Sequence, residues 1–153
     1  MQIRLAEAKD IPGICALYNE FFLYNSSQQP QYYKEAEETG KYPESVLENG
    51  TEDLFVAADD STVVGLIHVM EEHTPPYDCF VIHGYAVIVD LFVSEKFRGK
   101  GIGTRLLESA KWWAKERKLD YIELNVLAEN EGGIRFYNRQ RFQDVSRVMR
   151  YPL

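Results

Sequence analysis

Cysteine is scarce in this chain of 153 residues: Cys15 and Cys79 are too few and too far apart for a disulfide framework or a metal-ligand pattern. Idle or buried thiols are expected. Histidine is nearly as rare, and His68, His73 and His83 miss the i, i+4 spacing of a helical zinc motif, so no metal is expected. No apolar run is long enough to span a bilayer, and residues 1–7, MQIRLAE, lack the apolar core of a signal peptide. The expectation is a cytoplasmic protein with no membrane partner. Without secretion, the glycosylation-type triplets at Asn25 and Asn49 carry no weight. Internal repeats and low-complexity tracts are absent too, which argues against a solenoid or a disordered chain. Positive charge is in deficit, 17 Lys and Arg against 24 Asp and Glu for a net charge of −7, which argues against a nucleic-acid partner.

What is present is a globular composition, 45% hydrophobic, at a length that supports one core and hence one domain over residues 1–153. The charge is unevenly spread. Residues 1–84 hold 15 acidic and 4 basic side chains, whereas residues 85–153 hold 9 and 13. Such an asymmetry suits two ligands of opposite sign, one met by each half.

Residues 3–6 read as a short strand, followed by Asp10 as helix N-cap, Pro12 in the first turn, and a helix burying Ile11, Ile14, Cys15, Leu17, Tyr18, Phe21 and Phe22. Residues 24–53 are polar and broken by Pro30, Gly40, Pro43 and Gly50, giving short helices and a loop. Residues 54–58 and 62–70 form a hairpin about Asp59-Asp60-Ser61, and a long strand follows from Phe80 to Val93 with a bulge expected at Gly84. Thr104 to Lys118 is an amphipathic helix burying Leu106, Leu107, Ala110, Trp113 and Ala114. Ile122, Leu124 and Val126 alternate as a strand, then come a turn at residues 130–133, a short helix with Phe136 and Tyr137, and a closing strand at Val145–Met149. The fold class is α/β, in the α+β sense: a central mixed, mostly antiparallel sheet flanked by helices.

Between the long strand and the amphipathic helix lies Arg98-Gly99-Lys100-Gly101-Ile102-Gly103-Thr104. A helix start exposes unpaired amides, and glycines let an anion reach them. Lys96, Arg98, Lys100 and Arg105 add four cations in an otherwise acidic protein, so a polyphosphate is expected here. A P-loop is excluded because Gly99-Lys100 is followed by Gly101 rather than Ser or Thr. A dinucleotide fingerprint from Gly99 would need glycine where Thr104 stands, although Glu123 lies near the ribose-binding distance; a dinucleotide-binding enzyme is kept as the alternative.

The pattern Arg98, Gly101, Gly103, in this strand-to-helix setting, resembles the signature of the GNAT superfamily of acyl-CoA-dependent N-acyltransferases. A second stretch, Leu124 to Asn130 followed by Ile134-Arg135-Phe136-Tyr137 and Phe142, is similar to that family's strand, asparagine turn and Phe-Tyr helix. The resemblance implies acetyl-CoA as co-substrate. It implies that the backbone of Phe92 and Val93 lines the pantetheine arm and acyl carbonyl, that the amides of Gly99, Lys100, Gly101, Ile102, Gly103 and Thr104 hold the pyrophosphate, and that Asn130 contacts the CoA chain or merely caps the next helix. It also implies Tyr137 as donor to the departing thiolate, with a packing tyrosine beside Phe136 as the alternative. Two positions depart from many relatives: Gly133 stands where alanine is common, and Arg141 replaces a glycine, for which a different backbone conformation before Phe142 is expected.

An attacking amine must lose a proton, since a free alkyl amine titrates near about 10.4. Asp90, the one acid in the apolar run from Tyr85 to Val93, is the candidate base or water-positioning group, with a purely structural carboxylate as its alternative and with Glu123 and His83 in reserve. Residues 24–53 interleave Tyr24, Tyr32, Tyr33 and Tyr42 with Glu35, Glu37, Glu38, Glu44, Glu48, Glu52 and Asp53, which suits a small cationic amine acceptor. Transfer to a peptide or protein amine, and a non-catalytic acyl-CoA sensor, stay open as alternatives, and so does a homodimer.

Overall fold

The hydrophobic periods resolve, in a computed structural model describing residues 1–153, into five strands and four helices. In order these are β1 (Gln2–Leu5), α1 (Ile11–Gln28), α2 (Lys41–Leu47), β2 (Glu52–Asp59), β3 (Thr62–His73), β4 (Gly84–Val93), α3 (Ile102–Glu116), β5 (Ile122–Leu124) and α4 (Glu131–Arg139). The strands form one sheet in the order β1-β2-β3-β4-β5, antiparallel except for the parallel pair β4–β5. The expected mixed, mostly antiparallel sheet flanked by helices is therefore what the chain builds.

Alternation along β2 and β3 gives each face its own core. Phe55, Ala57, Val64, Ile67 and Val69 meet Leu106, Leu107, Ala110 and Trp113 of α3, whereas Leu54, Val56, Val63 and Leu66 meet Ile14, Leu17 and Tyr18 of α1 and Val46 of α2. Burying such side chains contributes about 1.5–3 kcal/mol each, so both helical layers are held chiefly by their apolar stripes.

Several expectations shift. Asp10 precedes α1 but makes no cap hydrogen bond. Its carboxylate instead accepts from both Arg4 nitrogens at 2.6 and 2.9 Å and from the Glu7 amide at 2.8 Å, which holds it below the usual carboxylate range. The long strand begins at Gly84 rather than Phe80, because Thr74 closes the preceding loop by bonding His83.

The bulge is not at Gly84. His68 pairs with Asp90 and Val69 with Ile88, leaving Val89 as the extra residue. The consequence is a change of phase. Ala86 and Ile88 before the bulge, and Leu91 and Val93 after it, all face α3, so Asp90 and Phe92 turn toward α1.

Arg141 does not avoid the glycine conformation but adopts it, at φ 68°. Its amide bonds to Asn138 O and that of Phe142 to Tyr137 O, each at 3.0 Å, closing α4 as a Schellman turn. The closing strand at Val145–Met149 does not form: residues 143–153 pair with nothing in the sheet.

Candidate active site

The end of β4, the glycine turn, the start of α3 and the start of α4 surround a cleft of about 470 Å³. Leu91, Phe92 and Val93 form its strand wall, Phe97 to Thr104 its floor except for Lys100, and Asn130, Gly132, Gly133, Phe136, Tyr137 and Arg139 its α4 wall, with Tyr24 of α1 at one side. Gly99 and Gly101 take φ of 74° and 76°, and a Cβ at either would meet only open space. Left-handed backbone here turns β4 into α3. The backbone amides of residues 99–104 donate to no backbone carbonyl, Arg105 being the first to bond back, to Gly101 O at 3.1 Å. An anion would find six free donors and the positive end of a 15-residue helix.

The residue types fit an acyl-CoA. The glycines leave the amides bare for a pyrophosphate, and the adjoining Phe92, Val93, Phe97 and Phe136 offer apolar walls for a pantetheine arm. The four cations are less uniform than their spacing suggests. Arg98 donates through Nε to Val93 O at 2.9 Å, with its guanidinium over the rings of Tyr24 and Phe92, 4.6 and 5.1 Å from the centroids. Lys100 lies outside the cleft lining, its ammonium 5.1 Å from the Phe97 centroid.

Asn130 sits where the sequence left two readings, and its geometry serves one directly. Oδ1 accepts from Gly133 N at 2.9 Å, capping α4, and from the Tyr24 hydroxyl at 3.1 Å. Only its Nδ2 faces no partner inside the protein. Gly133 follows from this cap, because a Cβ there would stand 2.5 Å from Nδ2. Tyr137 lines the cleft on the same wall, and burial, with the Asp90 charge nearby, pushes its phenol up to about 12. At neutral pH it keeps its proton and is a donor.

Asp90 stands one residue outside the cleft lining, at the head of a polar cluster under α1 and α2. Its Oδ2 accepts from the Tyr18 hydroxyl at 2.9 Å and lies 3.9 Å from His68 Nδ1. His68, 2% exposed, bonds Tyr42 OH through Nδ1 and Glu52 Oε2 through Nε2, both at 2.6 Å. With the ring proton on Nε2, His68 donates to Glu52 and accepts from Tyr42. Burial, with Asp90 second, pushes both the Tyr18 and Tyr42 phenols up, so these hydroxyls also stay protonated.

Tyr18, His68 and the pairing of Glu52 with His68 were not picked out from sequence. A signal existed: His68, like Asp90, is a lone polar residue in an apolar strand, and the two are cross-strand partners. Of the reserve bases, His83 instead bonds Asp120 at 2.8 Å. Of the acidic loop, Asp53 is unavailable, because Trp113 Nε1 and Arg117 hold it at 2.6 and 3.2 Å on the α3 side. No cluster of side chains suited to a metal ion is found, and no helix is long and apolar enough to cross a membrane.

Fold and cleft together define the class of acyl-CoA-dependent N-acyltransferases. The chain belongs to the acetyltransferase (GNAT) family, whose model matches residues 11–142. It is 32% identical over 147 residues to an uncharacterized N-acetyltransferase of Methanocaldococcus jannaschii, covering 93% of this chain and spanning 60% of that relative's length. In fold it is similar to the BH1408 protein of Bacillus halodurans, solved as a tetramutant (TM-score 0.93, 24% identity, all of both chains). It is also similar to an aminoglycoside N-acetyltransferase solved with CoA (TM-score 0.76, 17% identity, 99% of this chain and 98% of that one).

Proposed function

We propose that this chain transfers the acetyl group of acetyl-CoA to the primary amine of a small cationic acceptor. The observation that carries the reading is the pairing of two unlike sites across β4: bare amides at the glycine turn, and beside them a carboxylate, Asp90, in a cluster of tyrosines and acids. The amides of residues 99–104 hold the pyrophosphate, the strand and phenylalanine walls hold the pantetheine arm, and Asn130 Nδ2 contacts it.

The neutral amine attacks the thioester carbonyl carbon, forming the C–N bond. Its surplus proton passes to Asp90, directly or through water. The C–S bond then breaks, and the leaving thiolate takes the proton of Tyr137, a phenol held neutral by burial. Proton return from Asp90 to Tyr137 through solvent restores both groups, leaving an amide and free CoA. Tyr18 holds the Asp90 carboxylate, and Tyr42, oriented by His68 and Glu52, supplies an aromatic face beside it.

An acceptor with ammonium groups is supported by the acidic first half of the chain, in which Glu35, Glu37 and Glu48 are exposed. The aminoglycoside N-acetyltransferases of similar fold act on acceptors of that kind. The test is the rate of thiol release from acetyl-CoA with polyamines, an aminoglycoside, amino-acid amides, a peptide with a free N-terminus and neutral amines. Cationic small amines are expected to react fastest, with a Michaelis constant that rises with salt. Reaction with neutral acceptors alone, or a Michaelis constant indifferent to salt, contradicts the electrostatic part. A complete lack of turnover with tight CoA binding points to a sensor.

A further inference from the structure

Three side chains of the polar cluster beneath α1 and α2 come from adjacent strands. His68 of β3 pairs with Asp90 of β4 on one side and with Leu54 of β2 on the other, and Glu52 precedes Leu54 by two residues, on the same face. The hydrogen bonds that join them run in one direction, and that direction starts at a backbone amide. Thr51 N–H donates to Asn49 Oδ1 at 3.0 Å, and the Thr51 hydroxyl donates to the same oxygen at 2.9 Å. The Asn49 side chain is thereby oriented, with Nδ2 donating to Glu52 Oε1 at 2.7 Å.

A carboxylate has no proton to give, so Glu52 Oε2 accepts from His68 Nε2 at 2.6 Å. This holds the ring proton on Nε2 and leaves Nδ1 bare. Nδ1 in turn accepts from the Tyr42 hydroxyl at 2.6 Å, which aims the Tyr42 proton at the ring and away from Asp90.

Asp90 benefits from what is withheld. Facing it are Tyr18 of α1, Tyr42 of α2, His68 of β3 with Glu52 of β2 behind, and Tyr137 of α4, and of these only Tyr18 donates to it, at Oδ2. The bare Nδ1 lies 3.9 Å from that oxygen and offers no proton, and Oδ1 has no partner in the protein. With the ring proton on Nδ1 instead, Tyr42 would become the acceptor and its own proton would turn to the Tyr18 hydroxyl, which is within its reach. That strengthens the Tyr18 bond to Asp90, and a more strongly bonded carboxylate is a poorer base.

We propose that Glu52 and His68 are positioning residues for the transfer reaction: they fix the ring as the Nε2–H form, direct the Tyr42 hydroxyl away from Asp90, and so keep Asp90 Oδ1 free to take the proton of the acceptor amine. This rests on the assignment of Asp90 as the base. Neither residue touches the acceptor, and His68 is 2% exposed.

Glu52→Gln tests the device with a side chain of the same shape. Asn49 Nδ2 still requires an oxygen at its end of the new amide, so the amide nitrogen faces His68 and the ring proton is driven to Nδ1. Nitrogen-15 shifts of the His68 ring are expected to show Nε2–H in the wild type and Nδ1–H in the variant. Turnover is expected to fall about tenfold, as for a weakened general base, with the acid limb of the kcat/KM profile moved to lower pH and acetyl-CoA affinity unchanged. A wild-type ring protonated on Nδ1 overturns the proposal, and that measurement stands by itself should the variant misfold. So does a Glu52→Gln protein that keeps the proton on Nε2, or one that moves it while turnover and the acid limb stay as they were. Asp90→Asn run in parallel separates the two assignments: if it keeps full turnover, Asp90 is not the base and the proposal falls with that reading. If it loses turnover and Glu52→Gln does not, the positioning role alone is overturned.

Discussion

On its α3 side β4 presents Ala86, Ile88, Leu91 and Val93 to an apolar core, whereas on its α1 side Asp90 lies among Tyr18, Tyr42 and His68, with Glu52 behind. The two faces of one strand thus do different work. The apolar face holds α3 in place so that the glycine turn presents its amides rigidly. The polar face carries a hydrogen-bonded cluster to which the proposed function assigns proton exchange with an acceptor. In the proposed function, recognition of the acyl donor rests on backbone and handling of the acceptor on side chains, so the two should fail in different ways when altered.

Asp90→Asn should break the polar face with the largest effect, lowering turnover about 10²–10⁴-fold as expected for loss of a general base, while acetyl-CoA affinity stays within about twofold. Steady-state rates beside calorimetry check this. Leu106→Ala, at a fully buried site on the apolar face, should cost about 2–5 kcal/mol of unfolding free energy, read from denaturant midpoints, with no separate effect on proton transfer.

Alkaline titration distinguishes the faces by stability alone. The folded-state pKa values of Tyr18, Tyr42 and Tyr137 are raised, so the native protein keeps protons that the unfolded chain releases near about 10. Stability from this source is full below about pH 10 and falls as pH rises above it. Tyr18→Phe should flatten the decline in the urea midpoint. The smallest effect is expected away from both faces: Arg141→Gly relieves a left-handed residue in the α4 turn and should raise stability by about 1 kcal/mol, seen as a higher melting temperature.

The glycine turn was readable because its determinants are local: Arg98, Gly101 and Gly103 lie within six residues, and the strand and helix beside them announce themselves by period. Tyr137 and Asn130 were readable as positions on the cleft wall for the same reason. Across the sheet, Asp90 and Glu52 were singled out separately, but their meeting with His68 was not legible, since it depends on the register of three strands, and that register shifts at Val89, a residue with no glycine or proline to mark it. Tyr18 looked like any apolar-face residue of α1, because helical periodicity reports burial and not the hydrogen bond a phenol makes once buried. At Val145–Met149 the expected strand does not form, because a β-branched composition states that a segment can pair without supplying the edge it pairs with.

The division of labour across β4 is tested most directly by measuring acetyl-CoA affinity and turnover together in Gly101→Val and Asp90→Asn. A valine at φ 76° both strains the turn and screens the amides, so Gly101→Val should lose acetyl-CoA binding, whereas Asp90→Asn should bind normally and turn over slowly. If Gly101→Val folds and binds acetyl-CoA undiminished, or if Asp90→Asn loses binding and turnover in equal proportion, the account is contradicted.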